Sequence, residues 1–551
     1  EEIRSNVPED LFELQYREVI LEKIPPLIEQ AKIMSQKYDV VCTNPPYMGR
    51  NGMNLKLAKY LDENFKDSKT DLFAVFMELD DLYLKSNGFM GMINQHSWMF
   101  LSSYEKLREK LFKNRSIFSM IHLGAHTFEE IGGEVVQSTA FITKKIRLQE
   151  YKGKYIRLVD YTSANLKKKK ALETIILNVN HVYTATTRNF QKIPGSPIAY
   201  WADNKTLETF TNDNLEKIAE FSYGVFTCNN DLFLRLWYEV NNKKIDFNRD
   251  NNNGKYSKWC LCNKGGKSRK WYGNLDYIIN YGENGDEIRS YRKLKGQSTS
   301  LPGENFYFKE HISWSLVATG QITFRYYPKN IVFDISAPSL FTDKDSTKYI
   351  LGLLCSKISN YYLPFFNPTM NNTTSDIKKI PVIDSNVIIV EELISIVDSG
   401  IAISKIDWDS FETSWNFLKH PIHTHRGDST TLEKAFTNWS NFAENQFNQL
   451  KANEEELNRI FIEIYGLKDE LTPDVDDKDI TVTRIYDSKE DIPESMKGNN
   501  YVLTREDVIK SFISYAVGCM FGRYSLDEEG LIYAGGDFDD KFRIRNGQWE
   551  I

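Results

Sequence analysis

The sequence predicts an α/β protein whose first region is built around a doubly wound, mostly parallel sheet. Apolar runs of strand length alternate with amphipathic helical segments from residue 38 to residue 143. A basic, aromatic-rich region follows, and long amphipathic helices dominate the chain after residue 430. Strands that alternate with helices favour a parallel sheet, because each parallel pair needs a crossover connection. We expect three domains, at 1–200, 201–385 (α+β) and 386–551 (mainly helical).

The elements of the first region can be read from their periodicity. Thr70–Lys85 has apolar residues at helical spacing, with Thr70 or Asp71 as the N-cap. Gly88 marks the end of that helical region. A second helix is predicted over 102–112, and short apolar runs predict strands at 38–43, 89–94, 118–123 and 139–143.

Two helices are predicted in the last region. Thr431–Tyr465 carries an apolar stripe and is followed by Gly466, a residue that commonly ends helices. Arg505–Phe521 is preceded by Thr504, with Asp507 three residues further on, which resembles a capping box. Such stripes usually pack into a core, and partner docking is the less favoured interpretation.

Composition restricts the class of protein. The chain has 551 residues, of which 41% are hydrophobic and 26% charged, as in globular proteins. It has no stretch of roughly 20 apolar residues, the length of a membrane span, so we expect a cytoplasmic protein that does not enter a membrane. Of six cysteines, Cys260 and Cys262 are closest together, but not at the spacing of zinc ligands. We expect reduced thiols and no metal site.

The tetrapeptide Asn44-Pro45-Pro46-Tyr47 directly follows the first strand. In an α/β sheet this position lies at the carboxyl edge, where active sites are found. The Asn44 side chain and the Pro45 backbone offer carbonyl acceptors for an amino group. The prolines stiffen the turn, and Tyr47 offers an aromatic face on which a base can stack. The alternative is an ordinary turn, which Asn and Pro also favour.

This tetrapeptide resembles the catalytic motif of DNA methyltransferases that act on adenine N6. The resemblance implies a class I fold, S-adenosylmethionine as cofactor, and catalytic roles for Asn44, Pro45, Pro46 and Tyr47. Only 43 residues precede Asn44, and they contain no glycine-rich turn of the kind that holds the cofactor. We therefore expect this chain to contain the C-terminal half of the catalytic domain, with its cofactor-binding residues, which we cannot name, upstream.

Positive charge is concentrated between residues 221 and 380. This window holds 22 Lys and Arg against 14 Asp and Glu, a net charge of +8, whereas the whole chain has −7. Cations that alternate with aromatic residues suit a surface that follows phosphates and contacts bases. A solvated face above core aromatics is an equally weighted alternative. The candidate DNA-binding residues are Asn229, Asn230, Lys255, Lys258, Lys264, Lys267, Arg269, Lys270, Trp271 and Tyr272.

Longer segments carry a second, more specific resemblance. Gly224–Phe233, Asn263–Asn274, Asn367–Asn371, Trp408–Trp415 and Gly518–Asp527 occur in an order similar to that of the PglX family. Members of the PglX family are the adenine-specific methyltransferases of BREX phage-defence systems. The resemblance implies double-stranded DNA and other BREX defence proteins as partners. It covers nearly the whole chain.

The chain departs from the family pattern at two places. Cys228 follows Thr227 where the family usually has glycine, so a turn suited to glycine must accommodate a side chain. The family pattern also expects a second aromatic residue near 133–136 to enclose the target base, but Val136 is aliphatic. Phe128 is the candidate substitute.

Two alternative functions stay open at this stage. One is a fused restriction-modification enzyme of related architecture. The other is a DNA-binding specificity module that has no activity of its own, which the missing glycine-rich turn suggests.

Overall fold

A computed structural model gives the fold of the chain. It describes residues 2–5, 7–128, 136–177, 182–249, 257–318, 320–344, 346–369, 371–384, 386–533, 543–545 and 548–550. The chain forms two compact units, Glu1–Leu207 and Glu208–Ile551. The finer division into three domains stays a prediction.

The first unit contains a six-stranded mixed sheet. Its strands are β1 (Tyr38–Thr43), β2 (Leu84–Gln95), β3 (Ser116–Gly124), β4 (Ser138–Lys144), β5 (Lys152–Arg157) and β6 (Val182–Thr186). Their order is β1-β2-β4-β3-β5-β6. The pairs β1–β2 and β3–β5 are parallel, and the other three pairs are antiparallel. The α/β class is confirmed, but the prediction of a mostly parallel sheet is wrong.

The connections explain the mixed sheet. A helix links β2 to β3, so those two strands run in the same direction. No helix is described between β3 and β4, and the chain returns antiparallel to both neighbours. Strand β4 thus lies between β2 and β3, with Phe141 opposite both Met92 and Met120. Two successive strand signals without a helical segment between them were the sequence evidence for this reversal.

The first unit also contains helices. They are α1 (Glu2–Ser5), α2 (Leu11–Ser35), α3 (Leu55–Asn64), α4 (Leu72–Tyr83), α5 (Glu105–Asn114), α6 (Ala164–Leu177) and α7 (Thr187–Gln191), with α8 (Asn204–Thr209) at the unit boundary. As predicted, Asp71 is the N-cap of α4, and its side chain accepts a hydrogen bond from the Phe73 amide. Helix α4 ends at Tyr83 and is followed at once by β2, ahead of the predicted end at Gly88. Phe73 and Met77 of α4 enter the core beside Met90, Met92 and Phe141.

The second unit has two main sheets, in the orders β14-β10-β11-β8 (with β9 beside β10) and β13-β12-β15-β7. The strands are β7 (Glu220–Ser222), β8 (Leu234–Leu236), β9 (Ile245–Asp246), β10 (Trp259–Asn263), β11 (Tyr277–Asn280), β12 (His311–Trp314), β13 (Phe324–Tyr327), β14 (Ile331–Phe333), β15 (Ser339–Phe341), β16 (Arg484–Tyr486), β17 (Val502–Thr504), β18 (Arg543–Arg545) and β19 (Gln548–Glu550). All four strands β12–β15 are mostly or fully buried.

The helices of the second unit include the two that the sequence predicted. They are α9 (Leu215–Ile218), α10 (Asn230–Phe233), α11 (Asp286–Leu294), α12 (Ser346–Cys355), α13 (Lys357–Phe366), α14 (Thr374–Ile377), α15 (Val387–Asp409), α16 (Pro421–Thr424), α17 (Leu432–Ile464) and α18 (Arg505–Met520). Thr431 caps α17, and Thr504 and Asp507 form the predicted capping box of α18. The apolar stripe of α17 is core, as the favoured interpretation had it: Trp439, Phe447 and Phe461 are buried.

Buried charges tie α15 and α17 to the basic segment around residue 270. The Lys270 ammonium lies 2.6 Å from a carboxylate oxygen of Glu454, and Trp271 Nε1 donates to the other oxygen at 2.9 Å. Burial works against the charged ammonium, but the Glu454 carboxylate outweighs it and raises the pKa of Lys270. One residue earlier, Arg269 is paired with Asp407 at 2.7 Å. These contacts make the C-terminal helices part of the support of this segment.

The turn at Thr227-Cys228 keeps a glycine-type backbone. Cys228 has φ of +63°, in the left-handed region that disfavours side chains. The Thr227 hydroxyl donates to Asn230 Oδ1 at 2.7 Å and accepts from the Asn229 amide at 3.1 Å. The turn therefore holds the cysteine in a left-handed backbone conformation.

We expect Glu454→Gln to lower the free energy of unfolding by about 3–5 kcal/mol, because it leaves the Lys270 ammonium buried without a countercharge. Urea unfolding of the purified protein measures this change. The matched control is Glu456→Gln, which removes the partly exposed pair with Arg459 on the same helix and should cost less than about 1 kcal/mol. Equal losses in the two variants would contradict the stabilising role of the buried pair.

We expect Cys228→Gly to stabilise the protein by up to about 1 kcal/mol, since glycine adopts a positive φ without steric cost. Cys228→Ala removes the thiol but keeps the backbone strain, and should give no such gain. The midpoints of thermal unfolding of the two variants separate the backbone effect from that of the side chain. A gain in the alanine variant equal to that in the glycine variant would refute the strain.

Candidate active site and recognition surface

The tetrapeptide lies at the carboxyl end of β1. Thr43, the last residue of β1, pairs with Met92 of the parallel strand β2, so Asn44 leaves the sheet at its carboxyl edge. The Asn44 side chain is exposed, Pro45 is buried and Pro46 is exposed. The buried proline anchors the turn, and the amide of Asn44 remains accessible to a ligand.

Tyr47 is half-buried, with its ring partly accessible. Its ring meets Phe73 edge-on, with centroids 6.2 Å apart and an interplanar angle of 82°. Burial raises the pKa of the Tyr47 hydroxyl; the nearby Ser138 hydroxyl partly offsets the rise, and the Asp71 carboxylate adds to it. The side chain is thus neutral, held from within and able to offer ring surface to a base.

The loop after Tyr47 is fastened to the start of α4. The Met48 amide donates to Asp71 Oδ1 at 3.0 Å, and the Leu72 amide donates to the Met48 carbonyl at 3.1 Å. Sequence reasoning identified Asp71 only as a helix cap. It missed this second role because the two residues are 23 positions apart and no local pattern relates them.

A buried polar chain lies near the carboxyl ends of β2 and β3. Ring nitrogens of His96 and His122 are 2.8 Å apart, and the other nitrogen of His122 is 3.0 Å from the Tyr200 hydroxyl. Burial lowers the pKa of His96 to about 4 and lowers that of His122 as well, so both rings are neutral at pH 7. These hydrogen bonds could not be predicted from the sequence, since the three residues lie on separate segments.

Phe128 and Val136, the candidates for enclosing the target base, are both half-buried. They flank residues 129–135, which lie outside the described part of the chain together with the expected aromatic position near 133. Ser138, two residues after Val136, begins β4 opposite Gln95 and Gly124, at the ends of β2 and β3. The role of Phe128 and Val136 stays a prediction.

Four of the candidate DNA-binding residues are interior. Arg269, Lys270, Trp271 and Tyr272 are each at most 9% exposed. Arg269 and Lys270 are committed to Asp407 and Glu454, and the Trp271 indole also binds Glu454. These four side chains therefore stabilise the second unit from within. The prediction that they form a DNA-facing surface is wrong.

The other candidates lie nearer the surface. Lys267 is exposed, Lys264 lies 4.7 Å from the centre of the Tyr277 ring, and Lys258 is paired with Glu287 at 2.8 Å. Asn229 caps α10 and its amide donates to the Tyr291 hydroxyl at 3.2 Å, whereas Asn230 is exposed. Lys255 lies outside the described residues.

The turns that carry Asn229, Asn230, Lys264 and Lys267 are both joined by hydrogen bonds to a third turn, 334–336. We call 225–230, 263–268 and 334–336 the recognition loops. The Ile335 amide donates to the Val225 carbonyl at 3.0 Å, and the Ser336 hydroxyl donates to the Lys264 carbonyl at 2.9 Å. Asn230, Lys264 and Lys267 are therefore presented by adjoining turns.

The described residues contain no side-chain cluster suited to a metal ion and no helix suited to a membrane. There, no group of three or more His, Cys, Asp or Glu side chains could hold a metal ion, and all six cysteines are free thiols. Burial raises the pKa of the Cys260 thiol to about 12, which disfavours the thiolate form that binds metals. No helix in the same residues has the length and apolarity that crossing a membrane requires.

The carboxyl edge of β1 fits the methyl-acceptor side of an S-adenosylmethionine-dependent site. Asn44 is accessible there, and β1 forms the edge of the described sheet, with Val40 61% exposed. These residues can form the side of a site that receives the methyl group. We therefore assign the described residues of this edge to the acceptor side of the site and not to the cofactor.

Comparisons with known proteins find similarity to methyltransferases. Residues 3–128 match the Eco57I restriction-modification methylase family. The chain is 43% identical over 93% of its length to the adenine-specific methyltransferase PglX of Lacticaseibacillus casei (strain Zhang). It is 39% identical over 95% of its length to the adenine-specific methyltransferase BrxX of Escherichia coli O9:H4 (strain HS). The chain spans 42% and 41% of the length of these two relatives.

A solved structure supports the fold. The Type IIL restriction-modification enzyme MmeI, in complex with DNA, has a TM-score of 0.50 at 10% sequence identity, over 79% of this chain and 55% of that protein. This likeness extends across the methyltransferase-like α/β unit into the second unit, because it covers more residues than either unit contains. The two long sequence matches confirm the resemblance inferred from the motifs: nearly the whole chain is PglX-like.

Proposed function

We propose that this chain carries the methyl-acceptor site and the target-recognition part of a site-specific DNA adenine-N6 methyltransferase that acts in BREX-type phage defence. The observation that carries the proposal is Asn44-Pro45-Pro46-Tyr47 at the carboxyl end of β1, with Asn44 accessible and Tyr47 held edge-on by Phe73. The similarity to two adenine-specific methyltransferases supports it. Double-stranded DNA in the cytoplasm and other BREX proteins are the proposed partners.

For this reaction the chain must hold the amino group and the ring of the target adenine. An adenine inside a duplex cannot present its amino group, so the nucleotide must rotate out of the stack. Tyr47 receives the base, and stacking returns roughly 1–3 kcal/mol of the cost. The Asn44 side-chain carbonyl and the Pro45 backbone carbonyl accept hydrogen bonds from the two N6–H groups. This leaves the nitrogen lone pair directed at the methyl donor. Pro46 keeps the turn stiff.

S-adenosylmethionine is the proposed cofactor, and it supplies the activated methyl group when bound. The residues described above work on the acceptor side. They orient the amine and exclude water from one face of the base.

The recognition loops are the proposed reader of sequence. Lys264 and Lys267 suit phosphates, and the Asn230 amide suits a base edge, since amides can both donate and accept. The buried residues Arg269 and Lys270 take no part in contact and instead hold the 263–268 turn through α15 and α17.

We expect Asn44→Ala to lower methylation by about 10²–10³-fold, the usual cost of removing one such hydrogen-bonding group. Modification-sensitive long-read sequencing of DNA from cells that express the protein from its complete gene measures this. The wild type should mark one sequence motif with N6-methyladenine, and the variant should leave it unmarked. A soluble wild-type protein that binds DNA but leaves no mark would instead favour the binding-module alternative.

We expect Lys267→Ala to weaken DNA binding similarly on all sequences, and to reduce the slope of log affinity against log salt by about 1. Lys510→Ala is the matched control, because Lys510 is an exposed lysine of the same unit that pairs with Glu506 within helix α18. Fluorescence anisotropy on a labelled duplex at several salt concentrations measures both. An unchanged slope for Lys267→Ala would contradict a phosphate contact.

A further inference from the structure

The loop that follows the tetrapeptide is held by one side chain of helix α4. Asp71 Oδ1 accepts a hydrogen bond from the Met48 amide at 3.0 Å, and Met48 directly follows Tyr47. The same oxygen accepts from the Phe73 amide at 3.3 Å, which caps α4. A single carboxylate oxygen therefore connects the catalytic turn to the first turn of a buried helix.

Backbone contacts continue this attachment along the loop. The Leu72 amide donates to the Met48 carbonyl at 3.1 Å, and the Arg50 amide donates to the Thr70 carbonyl at 3.1 Å. Gly49 and Asp71 form an isolated antiparallel bridge. Residues 48–50 thus lie along residues 70–72, and the turn of the tetrapeptide is fixed at both of its ends, by β1 and by this bridge.

The rings beside Asp71 extend the support to Tyr47 itself. Phe73, fully buried, meets Tyr47 edge-on at 6.2 Å and Tyr104 at 5.8 Å. The Asp71 carboxylate also adds to the rise in the pKa of Tyr104 that burial causes, as it does for Tyr47. Asp71 is therefore close to both tyrosines, on the inner side of the ring that would stack on a base.

We infer that Asp71 is a positioning residue for methyl transfer. Through its hydrogen bond with the Met48 amide, Asp71 holds Tyr47 in the position in which its ring can stack on a flipped adenine. This inference rests on the proposed function. It adds to that function a residue outside the tetrapeptide, whose contribution should appear in turnover more than in DNA binding. A displacement of about 1 Å at a reacting centre can cost about 10²-fold in rate.

Asp71→Ser tests the inference without removing the helix cap. A serine hydroxyl caps a helix about as well as an aspartate, but it is one atom shorter and should not also reach the Met48 amide. Asp71→Asn keeps an acceptor oxygen at full length. Asn54→Ser is the matched control, because Asn54 caps α3 in the same unit by accepting from the Leu57 amide at 2.9 Å.

The full-length protein is assayed for kcat and KM on an unmethylated duplex. This duplex carries the sequence motif that the wild type methylates. We expect Asp71→Ser to lower kcat at least tenfold with KM for DNA within about twofold, and Asp71→Asn and Asn54→Ser to stay within about threefold of wild type. With 2-aminopurine in place of the target adenine, Asp71→Ser should give brighter emission than wild type, since a flipped base that is not stacked on Tyr47 is less quenched.

The outcomes separate this inference from the proposed function. Wild-type kcat and emission in Asp71→Ser would overturn the positioning role and leave the methyltransferase proposal intact. An equal loss in Asp71→Asn would overturn the role of the acceptor oxygen. A wild-type protein that transfers no methyl group would overturn the proposed function and this inference with it.

Discussion

The insertion of β4 between β2 and β3 is the constraint on which the first unit depends. An antiparallel strand hydrogen-bonded on both sides fixes the register of its two neighbours, so the carboxyl ends of β2 and β3 are set by Ser138 opposite Gln95 and Gly124. Because β1 is aligned on β2, that register also sets where Asn44 leaves the sheet. Tyr47, whose hydroxyl is near that of Ser138, is then held between the sheet and α4. The candidate site is thus a product of strand register as well as of its four residues.

The sequence was sufficient for the local elements and insufficient for their pairing. The caps at Asp71 and Thr504 are set by neighbours within four residues, and both were among the predicted caps. The tetrapeptide was placed correctly after β1 because that placement is also local. The direction of β4 was missed, since it depends on how the chain returns across the sheet. In the hydrogen-bonded series His96–His122–Tyr200, the bonded partners are up to 78 positions apart in sequence. No periodic pattern extends over that distance.

The charge pairs of the basic segment also could not be predicted from the sequence. Composition counted Arg269 and Lys270 among cations available to DNA, but Glu454 stands 184 residues from Lys270 in sequence, and Asp407 stands 138 residues from Arg269. A buried cation with a partner so far along the chain looks, in sequence, like an exposed one. The adjoining Lys264 and Lys267 have the same local composition but lie on the outer part of the turn. Only the packing of α15 and α17 distinguishes the two pairs.

The internal pairing of Arg269 and Lys270 also bears on how the protein would search a genome. A cation helps DNA binding chiefly by displacing counterions condensed on phosphates, and a cation already neutralised inside the protein displaces none. The +8 charge of residues 221–380 therefore overstates the attraction that non-target DNA would exert. A weaker non-specific attraction shortens each visit to a wrong site, so discrimination falls more heavily on the few groups that reach the base edges.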